Sequence, residues 1–284
     1  MFEPQEQSPL SYLKQLSPTH RFGKVSETTI ENIYPLSSGL NRNSIKILSW
    51  NIAKNNHVSQ PYRQAYRQWS QDFLSIIARY QPDKIFLQEV RLCAIKKQIP
   101  ELASMGWSFA PNFIDTLDNT YSGVLTATKA DFIYSRAKIT KHLEPLTGTP
   151  KVSLFVEYPF GNNKETLLAV NAHLINFVDT SKFQAQLEEI EVIISQHQGA
   201  VIFSGDFNTW NRSRWLLLLQ MTSKLGLTPV YFSPIEALKI KRFFMSPPLD
   251  YIFYRGLKQK RASAKVIDHI SSSDHNPLLV ELYI

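Results

Sequence analysis

The sequence lacks the features that mark disulfide-bonded, membrane-spanning or secreted proteins. Its 284 residues include one cysteine, Cys93, which excludes an intramolecular disulfide. No apolar run reaches the roughly eighteen residues that a transmembrane helix needs. The N-terminal residues lack the basic start, apolar stretch and small-residue cleavage site of a secretory signal. We therefore expect a cytoplasmic protein without a transmembrane segment.

The charge balance is basic, whereas the remaining composition is that of an ordinary globular protein. The formal net charge is +7, and hydrophobic residues make up 43% of the chain. A basic surface favours anionic partners, which include nucleic acid, phosphorylated small molecules and anionic lipid. A basic surface that is only solvated and binds no anionic partner would give the same net charge. Charge alone therefore does not choose among these partners, and the oligomeric state stays open.

The chain divides into an N-terminal arm and one domain. Residues 1–43 are rich in proline and serine, and we expect them to be partly disordered or draped over the domain formed by residues 44–284. Helices are predicted over residues 60–80 and 180–197, with a third from Arg212 to Lys224. The predicted strands are Ile45–Trp50, Lys84–Gln88, Gly123–Ala127, Ser153–Tyr158, Thr166–Asn171, Val201–Ser204, Asp250–Tyr254 and Leu278–Tyr283. This alternation predicts an α/β protein with a mixed sheet.

Polar residues cluster where these apolar runs begin or end. A rigid sheet can hold such side chains around a shared crevice. Any one of them could instead cap a turn, and a lone histidine could be a core residue. The members are Asn51, Glu89, His173, Asp206, Asn208, Asp250, Asp274 and His275.

The residue types suit metal-assisted cleavage of a phosphoester. Attack on a phosphodiester builds negative charge, which a divalent cation held by carboxylates offsets. Mg²⁺ takes oxygen ligands and one or two carboxylates, and Glu89 and Asp274 suit that role. A histidine held by a carboxylate can activate water near neutral pH, and His275 with Asp250 forms such a pair.

Three further residues have candidate roles beside that pair. The spacing of Asp206 and Asn208, just past a strand, allows both side chains to face one pocket. His173 is a candidate donor to a phosphate oxygen or a general acid.

Seven segments of the sequence carry a family resemblance. They are ILSWNIAK, IFLQEV, YSGVLTATKA, VNAHLINF, SGDFNTW, PLDYIFYRG and SSDHNPLLVEL. In order and spacing they resemble the endonuclease/exonuclease/phosphatase superfamily with the DNase I-like fold, closest to its bacterial YafD-like group. The resemblance implies a two-layered mixed β-sheet sandwich flanked by helices, in four layers (αββα).

The resemblance also assigns roles to individual residues. It implies that Glu89 and Asp274 bind metal, with Asn51 near the metal and phosphate. It implies that His173 contacts the phosphate. It also implies that Asp206 and Asn208 orient the nucleophile or stabilise the transition state. It makes His275 the general base and Asp250 the residue that orients it. The implied cofactor is Mg²⁺, for which Mn²⁺ is a possible substitute.

Two positions depart from the abasic-site endonucleases of this superfamily. Those enzymes carry an acidic residue two positions after the first-strand asparagine, where this chain has Ala53. They also place a tyrosine near the position of His173. Both differences argue against that repair activity and for a single-metal site like that of DNase I.

The sequence therefore predicts a Mg²⁺-dependent phosphodiester hydrolase, with DNA or RNA as the preferred substrate class. Candidate substrate contacts are Arg212, Arg214, Trp210 and Tyr121, because cationic and aromatic side chains suit nucleic acid. Basic residues near the expected rim also include Arg91 and Arg255. Two alternatives stay open. One is a phospholipid or phosphoinositide phosphoesterase in peripheral contact with a membrane. The other is a non-catalytic binding scaffold.

Overall fold

The fold is described from a computed structural model, in which residues 21–35, 43–57, 63–160 and 165–283 are described. Among these residues, no helix combines the length and the apolar character needed to cross a bilayer. Residues 21–35 belong to the expected N-terminal arm, and they add two short strands to a sheet of the domain. Residues 1–20 and 36–42 lie outside the described part.

Strands supply most of the described elements. The helices are α1 (Arg63–Tyr80), α2 (Thr180–Ser195), α3 (Arg212–Lys224) and α4 (Pro234–Leu238). The strands are β1 (Phe22–Gly23), β2 (Glu31–Ile33), β3 (Ser44–Asn51), β4 (Lys84–Cys93), β5 (Gly106–Asp115), β6 (Thr120–Thr128), β7 (Tyr134–Ile139), β8 (Val152–Phe160), β9 (Glu165–His173), β10 (Ala200–Asp206), β11 (Thr228–Pro229), β12 (Asp250–Arg255), β13 (Lys258–Gln259), β14 (Lys265–Val266) and β15 (Leu278–Tyr283).

The strands form two mixed sheets. In the first sheet the order is β1-β5-β6-β4-β3-β15-β13, with β2 added to β5 and β14 to β15. The second sheet has the order β11-β12-β10-β9-β8-β7. Each sheet contains a central parallel pair, β3 with β4 and β9 with β10. The other described pairs are antiparallel, as the close spacing of the later strands predicts.

Alternation along the strands builds a four-layer αββα sandwich. In β10, Ile202 faces the core between the sheets, whereas Val201 and Phe203 face α2 and α3. In β3, Ile47 faces the core between the sheets and Leu48 faces the core that contains α1 residues. Since successive side chains of a strand point to opposite faces, such strands require apolar cover on both sides. The predicted fold class is confirmed.

The eight predicted strands and three predicted helices are present, with adjusted ends. Residues 60–62, at the predicted start of the first helix, lie outside the described part, and the second helix ends at Ser195. The prediction missed β5 and β7. Pro111 interrupts β5 at a register shift, and β7 is a partly exposed edge strand, so neither has a clear apolar pattern.

Candidate functional site

Strands β3 and β4 place Asn51 and Glu89 side by side, with Asn51 at the end of β3 and Glu89 at a bulge within β4. Asn51 is the last residue of β3, and its Nδ2 lies 3.5 Å from Glu89 Oε1. Glu89 has a φ of 56°, at a β-bulge that shifts the register between Leu87 and Val90. A left-handed non-glycine residue at a bulge redirects its side chain. The bulge therefore accounts for the position of Glu89, partly exposed beside the end of β3.

The parallel pair of the second sheet brings His173 and Asp206 to the same place. They end β9 and β10 and are direct partners in the sheet register. His173 Nε2 lies 3.6 Å from Asp206 Oδ2 and 4.0 Å from Glu89 Oε1. Asn51 Nδ2 donates a hydrogen bond of 2.9 Å to Asp206 Oδ2, which joins the two sheets across the site.

A histidine–aspartate pair completes this cluster. Asp250 begins β12 opposite Asp206, and its Oδ2 lies 2.8 Å from Nδ1 of His275. The other ring nitrogen, His275 Nε2, lies 4.0 Å from Asp206 Oδ2. Trp50 Nε1 donates to the His275 carbonyl at 2.9 Å, and the Ser273 hydroxyl donates to the Asn51 carbonyl at 2.7 Å. The loop before β15 is thereby fixed to the end of β3.

Burial and neighbouring charges give the two histidines opposite tendencies. Burial, with a contribution from Lys151, holds the pKa of His173 well below its usual range, which favours the neutral ring. Burial also lowers the pKa of His275, but the charge and hydrogen bond of Asp250 outweigh it and raise the pKa to about 10. His173 is thus suited to a neutral hydrogen-bonding role, and His275 to holding and exchanging a proton.

The two carboxyl groups that face this cluster also differ in pKa. Burial raises the pKa of Asp206, although His275 opposes the shift. At Glu89, burial is outweighed by Lys54, Lys151 and His173, and the pKa falls to about 2. Glu89 is therefore ionised at neutral pH and available to a cation.

Asn208 is placed by its neighbours in the turn after β10. Its φ is 49°, its backbone N–H donates to Asp206 Oδ1 at 3.0 Å, and its Nδ2 donates to the Leu174 carbonyl at 2.8 Å. The amide is buried with its nitrogen toward the turn after β9. Asn208 therefore links the loops that carry His173 and Asp206, beside the predicted position of the phosphate.

Arg214 lies inside the protein. Its side chain is buried, and its guanidinium donates to the carbonyls of Ile175, Asn208 and Val178 at 2.8, 3.2 and 2.8 Å. These bonds fix the turns that follow β9 and β10. The sequence predicted a substrate contact, but this placement gives Arg214 a structural role.

The other predicted substrate contacts lie in several settings. Arg212 is exposed at the start of α3. Trp210 is partly buried, and the centre of its ring lies 4.9 Å from the guanidinium carbon of Arg214. Tyr121 packs against the core of the first sheet. The substrate contacts of these three residues stay predictions.

Two basic residues expected at the rim, Arg91 and Arg255, are both engaged by other groups of the protein. Arg91 is buried and paired with Asp115 and Asp118 at 3.1 and 2.8 Å. Arg255 ends β12, five positions beyond Asp250, which is about 17 Å at the rise of a strand. Its guanidinium donates to the Leu225 carbonyl at 2.9 Å. The expectation that Arg255 lies at the rim is wrong.

Asp274, a member of the predicted metal set, is exposed and paired with a lysine. Its side chain is 65% exposed, and its Oδ2 lies 3.0 Å from the Nζ of Lys241. It still contributes to the electrostatics of the site, because its charge raises the pKa of the neighbouring His275. Its role as a metal ligand stays a prediction that requires the carboxylate to leave Lys241.

The sequence interpretation missed a buried amide pair beneath the site. Asn171 Nδ2 donates to the carbonyls of Leu87 and Leu125 at 3.1 and 2.8 Å, and Gln88 Nε2 donates to Asn171 Oδ1 at 2.8 Å. These bonds join β9 of the second sheet to β4 and β6 of the first, next to the bulge at Glu89. For Gln88 and for Asn171, the signal available in the sequence was a polar residue within an apolar strand.

The donor set fits a hard divalent cation. The ionised, partly exposed carboxylate of Glu89 is an oxygen ligand of the kind that Mg²⁺ and Mn²⁺ prefer. The neighbouring Asn51 amide turns its nitrogen toward Glu89, and its oxygen accepts the Ala53 N–H at 3.0 Å. In the described part of the chain, Asp206, Asp250 and His275 also form a buried group with ligand atoms within 4.8 Å of one another. There, Nδ1 of His275 and Oδ2 of Asp250 are already paired with each other at 2.8 Å.

Comparisons with known proteins identify the family and its relatives. A family model described as the endonuclease/exonuclease/phosphatase family matches residues 48–275. A UPF0294 protein of Vibrio parahaemolyticus is 31% identical over 245 residues, covering 83% of this chain and 76% of the relative. A UPF0294 protein of Vibrio vulnificus is 33% identical over 242 residues, with the same coverage of 83% and 76%.

Solved structures with the same fold are more distant in sequence. An endonuclease/exonuclease/phosphatase from Beutenbergia cavernae has a TM-score of 0.64 at 14% identity, covering 86% of this chain and 72% of that one. The catalytic domain of human nocturnin, with bound sulfate, has a TM-score of 0.58 at 18% identity, covering 90% of this chain and 97% of that one. TDP2 from Caenorhabditis elegans has a TM-score of 0.57 at 15% identity, covering 85% of this chain and 74% of that one.

Proposed function

This chain belongs to the endonuclease/exonuclease/phosphatase family, and we propose that it is a Mg²⁺-dependent phosphodiester hydrolase that acts on DNA or RNA. The observation that carries the proposal is the convergence of the His275–Asp250 pair with Asp206, His173 and Glu89 at the joined ends of the two sheets. This arrangement supplies a candidate base, a neutral donor and an anionic metal ligand within one crevice.

Each residue has a separate task in the proposed reaction. His275 takes the proton of the attacking water, and Asp250 orients its ring through Nδ1. Asp206, within 4.0 Å of His275 Nε2, orients that water. Neutral His173 donates to a non-bridging phosphate oxygen, and Asn208 holds the turn beside it.

Glu89 would anchor the cation, with Asn51 beside it and Asp274 as a further ligand. When bound, the cation supplies charge that neutralises the phosphate oxygens and offsets the carboxylates that keep His275 protonated. Mn²⁺ would be accepted in place of Mg²⁺, because both take oxygen ligands.

A substrate panel tests the proposal. Single-stranded, duplex and nicked DNA, RNA and bis(p-nitrophenyl) phosphate would be assayed with Mg²⁺, Mn²⁺ or EDTA. We expect hydrolysis with either metal, loss of activity in EDTA, and a reduced response to Mg²⁺ in Glu89→Gln. His275→Ala is the catalytic blank. Wild-type protein that cleaves no diester with either metal would refute the proposal and favour a binding scaffold.

An exposed apolar loop supports lipid hydrolysis as a second candidate function. Phe244 and Met245 are 94% and 87% exposed, and they follow Lys241, which pairs with Asp274 beside the site. Such a tip could enter an anionic bilayer surface. Phe244→Asp should abolish co-sedimentation with phosphatidylglycerol vesicles, whereas Ile95→Asp, at another exposed side chain (84%), should not. Absence of vesicle binding by the wild type would remove this candidate.

A further inference from the structure

A cavity of about 300 Å³ opens beside Glu89 and His173. Its lining includes Lys54 and Lys151, whereas Asp206 and His275 lie outside it. The volume is at the lower end of the range for small-molecule sites. The cavity therefore extends the crevice on the side away from the proposed base and could receive a group attached to the phosphate undergoing attack.

Lys54 is held at the mouth of this cavity by a constrained loop. Ala53 and Lys54 have φ values of 50° and 63°, which are uncommon for residues with a Cβ. The Ala53 N–H donates to Asn51 Oδ1, and the Lys54 N–H donates to the Glu89 carbonyl, each at 3.0 Å. Lys54 Nζ lies 3.7 Å from Glu89 Oε2. The loop thereby presents a cation on a fixed backbone.

Lys151 provides a second cation in the lining of the cavity. Its side chain is 13% exposed, and its Nζ lies 3.4 Å from Glu144 Oε2. The backbone is fixed on both sides, because Asn112 Nδ2 donates to the Pro150 carbonyl at 2.7 Å and the Thr140 N–H donates to the Lys151 carbonyl at 2.9 Å. Lys151 is close enough to lower the pKa of both Glu89 and His173.

These two lysines differ from the arginines that line the same cavity. Arg21 and Arg91 make hydrogen bonds to the buried carboxylate of Asp115. Within the described residues, by contrast, the Lys54 and Lys151 ammonium groups face carboxylates at ion-pair distance and donate no hydrogen bond. Their donors are therefore available to a ligand that brings its own negative charge.

We propose that this cavity is a subsite for a second phosphate of the substrate, next to the phosphate that is cleaved, with Lys54 and Lys151 as its cationic contacts. The cleaved phosphate would lie between His173 and His275, and His275 is not among the residues that line this cavity, whereas both lysines are. The hydroxyl groups of Thr147 and Thr149, which also line it, are further donors. The subsite selects substrates that carry two neighbouring phosphates.

The inference rests on the proposed hydrolase function, and its test separates the two. The dinucleotides TpT, pTpT and TpTp would be compared as substrates with Mg²⁺. We expect wild-type protein to prefer pTpT or TpTp to TpT in kcat/KM. Lys151→Gln should reduce that preference roughly tenfold, as expected for loss of one partly buried charged contact. Lys151→Arg should retain most of it.

Binding is measured independently of turnover in His275→Ala. Calorimetry would compare thymidine 3′,5′-bisphosphate with thymidine 5′-monophosphate, and inositol 1,4-bisphosphate with inositol 1-phosphate. The same two-phosphate preference is expected, and it should fall when Lys151→Gln is added. A preference confined to the inositol pair would assign the second phosphate to a lipid head group rather than to nucleic acid.

Lys129→Gln is the matched control. Lys129 faces Asp83 at the same 3.4 Å separation, but it follows β6 at the opposite end of the sheet. Circular dichroism and Tm measurements would confirm folding of each variant. Equal affinity for one and two phosphates, or equal effects of Lys151→Gln and Lys129→Gln, would overturn the subsite. Bisphosphate preference without cleavage of any dinucleotide would refute the hydrolase and keep the subsite.

Discussion

At the scale of single residues, the contact between His275 Nδ1 and Asp250 Oδ2 determines both the orientation and the charge of the imidazole. The distance is 2.8 Å, and the aspartate outweighs burial to raise the pKa of His275 to about 10. A general base must lose its proton before it can act. We therefore expect the rate of hydrolysis to rise with pH as His275 deprotonates.

Replacement of Asp250 tests this contact. Asp250→Asn keeps the size of the side chain but removes the charge that raises the pKa of His275. We expect kcat to fall about 10²- to 10⁴-fold, the usual contribution of a positioned base, and the rise of rate with pH to move to lower pH. The measurement is the pH profile of kcat on bis(p-nitrophenyl) phosphate. An unshifted profile would show that another group sets it.

Lys84 is a second residue whose charge matters, but it lies in the core, away from the site. Its side chain is fully buried, and its Nζ lies 2.9 Å from the centre of the Tyr158 ring. In the described part of the protein this Nζ has no hydrogen-bond partner. Burial holds the pKa of Lys84 well below its usual range. The folded state therefore disfavours the charged amine.

Lys84→Met should stabilise the protein. Because the pKa is lower in the folded than in the unfolded chain, Lys84 costs most stability below the folded pKa, and the cost disappears as the pH rises toward 10.5. We expect a gain of about 1–3 kcal/mol at neutral pH that shrinks at high pH. Urea unfolding at several pH values measures it, with the exposed Lys258→Met as the control. A less stable Lys84→Met protein would show that the contact with Tyr158 outweighs desolvation.

At the scale of elements, the sequence predicted the presence of the main strands better than their bends and ends. The apolar run before Glu89 predicted an end at Gln88, but β4 continues to Cys93 beyond the bulge. Backbone φ at Glu89 and the pairing of β5 depend on neighbouring strands, and no local pattern encodes them. A polar residue within an apolar strand was a local signal for Gln88 and for Asn171, but their pairing forms between strands of different sheets and is not visible in either strand alone.

Asn171→Leu tests whether that pair supports the site. The leucine is similar in size but leaves the Gln88 amide and the carbonyls of Leu87 and Leu125 without this partner. We expect a loss of about 1–3 kcal/mol in the free energy of unfolding, because buried polar groups become unsatisfied. Activity should also fall, since Glu89 follows Gln88 directly.

Urea unfolding and diester hydrolysis measure the two effects. Ser153→Ala in the neighbouring strand is the control, because the Ser153 hydroxyl is buried but makes no hydrogen bond among the described residues. If Asn171→Leu were as stable and active as Ser153→Ala, the amide pair would have no part in holding β4.

At the scale of the whole molecule, the fold class could be predicted because the motifs at the strand ends have a defined order. Those motifs predict the catalytic groups, and the structure brings His275, Asp250, Asp206, Glu89 and His173 together. They do not encode the surroundings. Lys151 has no motif around it, and the buried position of Arg214 depends on turns contributed by two strands. Substrate choice depends on such surroundings.

The net charge of +7 leads to a test of substrate class that involves the whole surface. A polyanion bound by a few lysines and arginines releases counterions, so its affinity falls with salt. If single-stranded DNA is the substrate, its KM should rise about tenfold between about 50 and 200 mM salt, as for two or three phosphate contacts. Bis(p-nitrophenyl) phosphate carries one negative charge and would use the same proposed catalytic groups, so its KM should change little with salt. It therefore serves as the control for any effect of salt on the chemical step. Parallel changes for both substrates would mean that no extended basic surface contributes, which would favour a small phosphoester over nucleic acid.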